Sequence, residues 1–197
     1  MRSKIVSMTG VLILILFTAG AAAVFADDAR SYEQLSPNGK YVFVMLTKSP
    51  DKGGKVDMLK TRYKNSGLYQ TSNLRKSLWT VNWYSRDVHI ASDGIHLVRI
   101  GRSRVSAMNA KPDMGQLALA FYEKGIPVRK YVIKDLASNP AKLTKSGGLF
   151  EWYKRIAFDD ASQTLEVALV TGQTKIFDIK SGKIISTRTN TRKKESR

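Results

Sequence analysis

From residue 35 to residue 186 the chain repeats short apolar runs separated by turn-forming residues, the pattern of an all-β domain. Tyr41-Val-Phe-Val-Met-Leu46 is apolar at both alternating sets of positions, which predicts a strand covered on both faces. Residues 77–84 instead alternate. Leu78, Thr80, Asn82 and Tyr84 fall on one side, and Trp79, Val81 and Trp83 on the other. Three hairpins are legible from apolar segments around tight turns: 88–91 and 95–100 around Ser92-Asp93-Gly94, 116–122 and 128–133 around Glu123-Lys124-Gly125, and 165–170 and 175–179 around Thr171-Gly172-Gln173. A last turn, Ser181-Gly182-Lys183, leads into Ile184-Ile185. Little helix is expected. Asn139-Pro140 predicts a capped turn, the asparagine accepting from free amides and the proline sitting at the first helical position.

Three stretches break this regularity. Residues 1–26 have a basic start at Arg2 and Lys4, the apolar run Val11-Leu-Ile-Leu-Ile-Leu-Phe17 and a small-residue end at Val24-Phe25-Ala26. They predict a signal peptide cleaved after Ala26, so the protein is expected to be exported, periplasmic or secreted, with no membrane-spanning segment after cleavage. Residues 27–34 read as a polar lead-in. Residues 47–65 form a long polar stretch with six basic side chains, Lys48, Lys52, Lys55, Lys60, Arg62 and Lys64, against Asp51 and Asp57; a loop of that length is expected to be functional or mobile. Residues 187–197 contain no apolar residue and carry Arg192, Lys193 and Lys194, which predicts a disordered basic tail.

Three polar turns occupy equivalent places, each leading into an apolar strand: Ser36-Pro37-Asn38-Gly39-Lys40, Ser92-Asp93-Gly94 and Asp159-Asp160-Ala161-Ser162-Gln163. The first of them, together with Phe177-Asp178-Ile179-Lys180-Ser181-Gly182-Lys183 at the far end, resembles the turns that open and close blades in TolB-like and PQQ-type β-propeller repeats. That resemblance spans residues 35–186 and implies antiparallel sheets in about three blade-like units. Closed propellers have about four to eight blades, so a sandwich or a barrel stands as the alternative. Through Ser66-Gly67-Leu68-Tyr69, residues 78–83, 93–99 and 177–183, the chain is also similar to a group of small exported bacterial proteins of unknown function. This second resemblance implies export and a β-rich fold, and no activity.

Composition narrows the chemistry. The 197 residues include no cysteine, which excludes disulfide scaffolds, thiolate metal sites and thiol nucleophiles. Lysine and arginine number 33 against 16 acidic residues, a net charge of +17, which favours anionic partners. Export argues against nucleic acid and leaves an envelope protein or an anionic glycan or lipid surface. Lys52, Lys55, Lys60, Arg62, Lys64, Arg192, Lys193 and Lys194 are the candidate contacts for such a polyanion.

Catalytic signals are sparse. His89 and His96 lie near Asp87 and Asp93, and a two-residue turn would place both histidines on one sheet face, whereas a three-residue turn would separate them. No third ligand is fixed by spacing, no Gly-x-Ser-x-Gly elbow is present, and Gly53-Gly54 and Gly147-Gly148 lack the strand-to-helix setting of a phosphate loop. Accordingly no catalytic residue, metal site or cofactor is assigned. Aromatic residues are the better lead: Trp83, Tyr84, Trp152 and Tyr153, with Arg86, His96 and Arg155, form a candidate ligand or partner surface, against the plainer reading of aromatic core. The expected function is a non-enzymatic binding or scaffolding module of the cell envelope that recognises an anionic polymer or a protein partner. The alternatives are a small hydrolase or glycan-acting enzyme using His89, His96 and Glu151, and a structural subunit of an envelope complex. The sequence assigns no oligomeric state.

Overall fold

The structure, a computed structural model, describes residues 29–48, 56–105, 107–108, 111–146 and 148–189. The expected signal peptide and its cleavage point at Ala26, together with Lys52, Lys55, Arg192, Lys193 and Lys194, lie outside the described residues.

Three four-stranded antiparallel sheets follow one another along the chain. The first is a meander of β1 (Tyr32–Leu35), β2 (Tyr41–Met45), β3 (Gly67–Gln70) and β4 (Asn73–Thr80), with the helix α1 (Met58–Arg62) between β2 and β3. The second contains β5 (Asp87–Ile90) and β6 (His96–Ile100). It is interrupted by the short strands β7 (Arg104–Val105), β8 (Ala107–Met108) and β9 (Lys111–Pro112), and resumes with β10 (Leu117–Glu123) and β11 (Ile126–Val132). Its spatial order is β11-β10-β6-β5. After α2 (Ile133–Leu136), a 3-10 turn at Pro140–Lys142, β12 (Thr144–Ser146) and β13 (Leu149–Glu151), the third sheet runs through β14 (Tyr153–Asp159), β15 (Thr164–Leu169), β16 (Gln173–Asp178) and β17 (Ile184–Thr189). β12, β13 and β7 pair as a small extra sheet, and β8 pairs with β9. Among the described residues strands account for 53% and helix for 8%, so the all-β expectation with little helix holds, and the sheets do not close into a barrel.

Register explains how the sheets stack. β6 pairs with β10 so that Leu97 lies opposite Tyr122, and Val98 opposite Phe121. Leu97, Ala120 and Tyr122 pack with Phe43, Met45 and Leu68 of the first sheet, whereas Val98, Ile100, Leu119 and Phe121 pack with Leu165, Val167 and Phe177 of the third. The second sheet is therefore the middle layer, which is why its inner strand β10 is apolar on both alternating sets. The first sheet has a cover of its own on the outer side. Tyr63, just past α1, packs its ring 4.9 Å from that of Tyr69, and both bury Val42 and Val44. That cover fulfils the expectation that residues 41–46 are enclosed on both faces.

Three boundaries differ from the sequence reading. The polar lead-in becomes strand from Tyr32 onward, because the Tyr32 side chain packs into the core of the first two sheets and its hydroxyl donates to the Ser85 carbonyl at 2.9 Å. Within 47–65, residues 58–62 are helical, started by the Asp57 carboxylate accepting from the Leu59 amide at 3.1 Å. β4 stops at Thr80 instead of continuing to Tyr84, because the chain there leaves the ladder to cross to the second sheet. At the far end, β17 carries order three residues into the expected tail.

The repeated turns found in the sequence bond to one another in series. Asn38 in the first donates from its amide side chain to the Ser92 carbonyl at 2.8 Å, and its backbone amide donates to the Ser92 hydroxyl at 3.1 Å. Ser92 in the second donates its backbone amide to the Asp160 carboxylate in the third, at 2.8 Å. The same turn of each successive sheet thus locks the next. Within the second turn Gly94 has φ +69°, and a Cβ there would meet the Tyr41 ring at 2.5 Å.

Candidate functional site

The expected hairpins form, with turn lengths that decide the histidine question. Ala91 and His96 are joined by a backbone bond from the Ala91 amide, and His89 pairs with Val98. Four residues therefore span the turn, an even number, and His89 and His96 share the face toward the third sheet. They serve different carboxylates all the same. His96 is nearly buried, with its Nδ1 2.6 Å from Asp93, and Asp93 also accepts from the Ile95 and His96 amides at 2.7 and 2.9 Å. Burial alone would raise the Asp93 carboxyl; the hydrogen bonds from His96 and Ile95 outweigh it and hold that group below the ordinary aspartate range. This is a turn clamp. His89 stacks on Phe158 of the third sheet at 5.3 Å, and burial lowers its pKa against the opposing pull of Asp87, 3.8 Å away. Glu151 is engaged elsewhere, with Arg104 at 3.3 Å. Among the described residues no three His, Cys, Asp or Glu side chains are grouped as a metal would require.

The three tryptophans divide by role. Trp152 is fully buried, and its indole N–H donates to the Arg102 carbonyl at 2.7 Å. It fills the core between the third sheet and the small extra sheet, so it is corrected from candidate ligand surface to core. Trp79 is partly buried and its indole N–H donates to the Gly94 carbonyl at 3.0 Å. Trp83 is partly exposed; among the described residues its indole N–H has no acceptor and is not sealed from solvent. Its ring is held by Tyr122 at 5.0 Å, Phe43 at 6.2 Å and the Arg99 guanidinium 4.6 Å above it.

Trp83 and Tyr84 occupy the crossover from β4 to β5, and bonds between side chains and backbone pin that crossover. Tyr84 exchanges two hydrogen bonds with the Arg30 backbone, at 2.8 and 3.0 Å, while Arg99 donates to the Tyr84 carbonyl at 2.9 Å. Above them opens a cleft of about 960 Å³ between the end of the first sheet and the β10–β11 hairpin. Lys48 and Lys64 stand on one side, where the chain leaves β2 and returns to β3, and Ile126 and Pro127 on the other. Asn65, Ser66, Thr80 and Asn82 add amide and hydroxyl groups, and no carboxylate lines the cleft among the described residues. The hairpin wall is set by a two-residue turn, Lys124 and Gly125, both with positive φ, at 49° and 80°. That geometry matches the twist of the strands it joins and carries Ile126 straight into the cleft wall.

The other predicted surface residues are dispersed. Tyr153 stands edge-on to Trp152 at 4.6 Å, and burial, then the nearby Asp87 carboxylate, raise its hydroxyl pKa. Arg155 lies on the outer face of the third sheet, 2.5 Å from Glu166. Arg86 is exposed at the start of β5. Of the candidate polyanion contacts, Lys60 is 4.0 Å from Asp57, Arg62 is 3.7 Å from Glu33, and Lys64 lines the cleft together with Lys48. Sequence reasoning missed Arg99, Ile126 and Pro127. Arg99 was detectable in principle as a cation on the core-facing set of an otherwise apolar strand, next to Leu97. The approach of the hairpin to the end of the first sheet is a tertiary event with no local signal.

Among known proteins, the chain matches no family model and no curated protein. Among the described residues no helix is long and apolar enough to cross a membrane.

Proposed function

We propose that this protein is an exported, non-enzymatic binding module of the cell envelope, and that the cleft over Trp83 holds an anionic partner. The observation that carries the reading is the donor imbalance of the cleft: Lys48, Lys64 and Trp83 line it, and among the described residues no carboxylate does. Such a site attracts anionic groups and has nothing to repel them. The surrounding charge, +17 on the chain, acts in the same direction by steering. Blade-like repeats agree with this role, since three meander sheets locked through equivalent turns form a rigid frame for a site built between two of them. A hydrolase would need His89, His96 and Glu151 to act together, and each of them is engaged with a different neighbour.

Retention on an anionic matrix tests the reading. At low salt the protein should elute later than a neutral protein of equal size, and Lys48→Glu with Lys64→Glu should bring elution markedly earlier. Equal elution of the variant and the parent would remove the cleft from the account.

A further inference from the structure

We propose that the occupant of the cleft is an acidic peptide segment carrying a bulky apolar side chain, presented by another protein of the same compartment. The inference rests on reading the cleft as the binding site and goes further by choosing among anionic partners. Sugar rings bind proteins by stacking on an open aromatic face. Trp83 does not offer one: Arg99 lies over the ring at 4.6 Å, and Tyr122 and Phe43 pack on it. The walls also carry too much apolar surface for a plain polyanion. Ile126 is 69% exposed, and Pro127, Leu46 and Val81 line the cleft with it. An uncovered isoleucine beside lysines and an indole donor calls for a ligand with carboxylates next to an apolar group, which an acidic peptide supplies and a uronic acid polymer does not.

Docking by strand addition is disfavoured at this wall, because Pro127 has no N–H to give at the start of β11. Recognition therefore runs through side chains. Carboxylates of the peptide meet Lys48, Lys64 and the Trp83 N–H, while its apolar side chain covers Ile126.

The test uses the full chain with three fluorescein-labelled probes at low salt: a short peptide in which glutamates flank leucines, the same peptide with serine for leucine, and oligogalacturonate. Burying part of a leucine predicts that the leucine peptide binds about tenfold more tightly than the serine peptide. Ile126→Ser should erase most of that tenfold preference, and Trp83→Phe, which keeps the ring and removes the N–H, should weaken both peptides. Circular dichroism and the urea midpoint establish that each variant is folded. Equal affinity for the two peptides, or a preference unchanged by Ile126→Ser, overturns the peptide assignment while leaving an anion-binding cleft in place. Tighter binding of oligogalacturonate than of either peptide overturns it in favour of a polysaccharide. Failure of all three probes to bind above a neutral dextran control removes the cleft reading itself.

Discussion

Trp83 and Trp152 are the same residue type put to opposite uses by one neighbour each. The Arg102 carbonyl satisfies the Trp152 indole and lets the whole ring go into the core, whereas Trp83 lines the cleft and its indole N–H has no acceptor among the described residues. Truncating Trp152 to alanine should cost about 3–5 kcal/mol of stability by urea denaturation, the usual range for a large aromatic removed from a packed core. Trp83→Phe should cost far less, since Phe43, Tyr122 and Arg99 can still pack against a ring. His89 sets a pH dependence. Its pKa in the folded protein lies below the ordinary histidine value, chiefly through burial, so the unfolded chain takes up the proton first as pH falls. Its contribution to stability is whole above about pH 7, declines as pH drops through the ordinary histidine pKa of about 6.5, and stops falling below the folded-state pKa. Denaturation midpoints at about pH 7.5 and 5.5 should show the decline, and His89→Gln should flatten it. A parent protein that is equally stable at both values would contradict the burial of His89.

At the scale of elements, the turns carry the architecture. Asn38, Ser92 and Asp160 join the three sheets through hydrogen bonds between positions that the sequence already marks as equivalent. Asn38→Ala should therefore destabilise the protein by about 1–2 kcal/mol although the residue is exposed, because the side-chain bond to the Ser92 carbonyl is lost together with the bonds its Oδ1 accepts from Ser36 and Lys40 within the turn. Gly94→Ala should do more damage: it strains a positive φ and drives a Cβ into the Tyr41 ring, so a loss above about 2 kcal/mol is expected in the same assay. Hairpins, the capped turn at Asn139 and the doubly covered strand β2 were legible in the sequence because local turn chemistry and alternation decide them. The strand expected through Tyr84 was too long because nothing local announces where a chain leaves one sheet for the next. α1 was hidden for a related reason. Its five residues are too few for a helical period, and the Asp57 cap and the packing of Leu59 and Tyr63 on the first sheet hold it.

The described part of the molecule is a stack of three sheets in which the middle one is buried on both faces along its inner strand β10 and the outer two are finished differently, the first by α1 and Tyr63, the third by polar pairs such as Arg155 with Glu166. Aromatic residues and basic charge pointed toward binding from the sequence, but the set of residues they suggested came apart in space: Trp83, Tyr84 and Lys64 meet at one cleft, while Trp152, His96 and Arg155 belong to the core, a turn and an outer face. What assembles the site is the hairpin turn at Lys124 and Gly125 meeting the end of the first sheet, a contact between segments far apart in the chain. The indole N–H resonances of nitrogen-labelled protein test this assembly directly, because Trp79, Trp83 and Trp152 each give one signal. On titration with the glutamate–leucine peptide at low salt, the Trp83 signal should move progressively to saturation while those of Trp79 and Trp152 stay in place. A stationary Trp83 signal under conditions where the peptide is bound would contradict the cleft as the binding site.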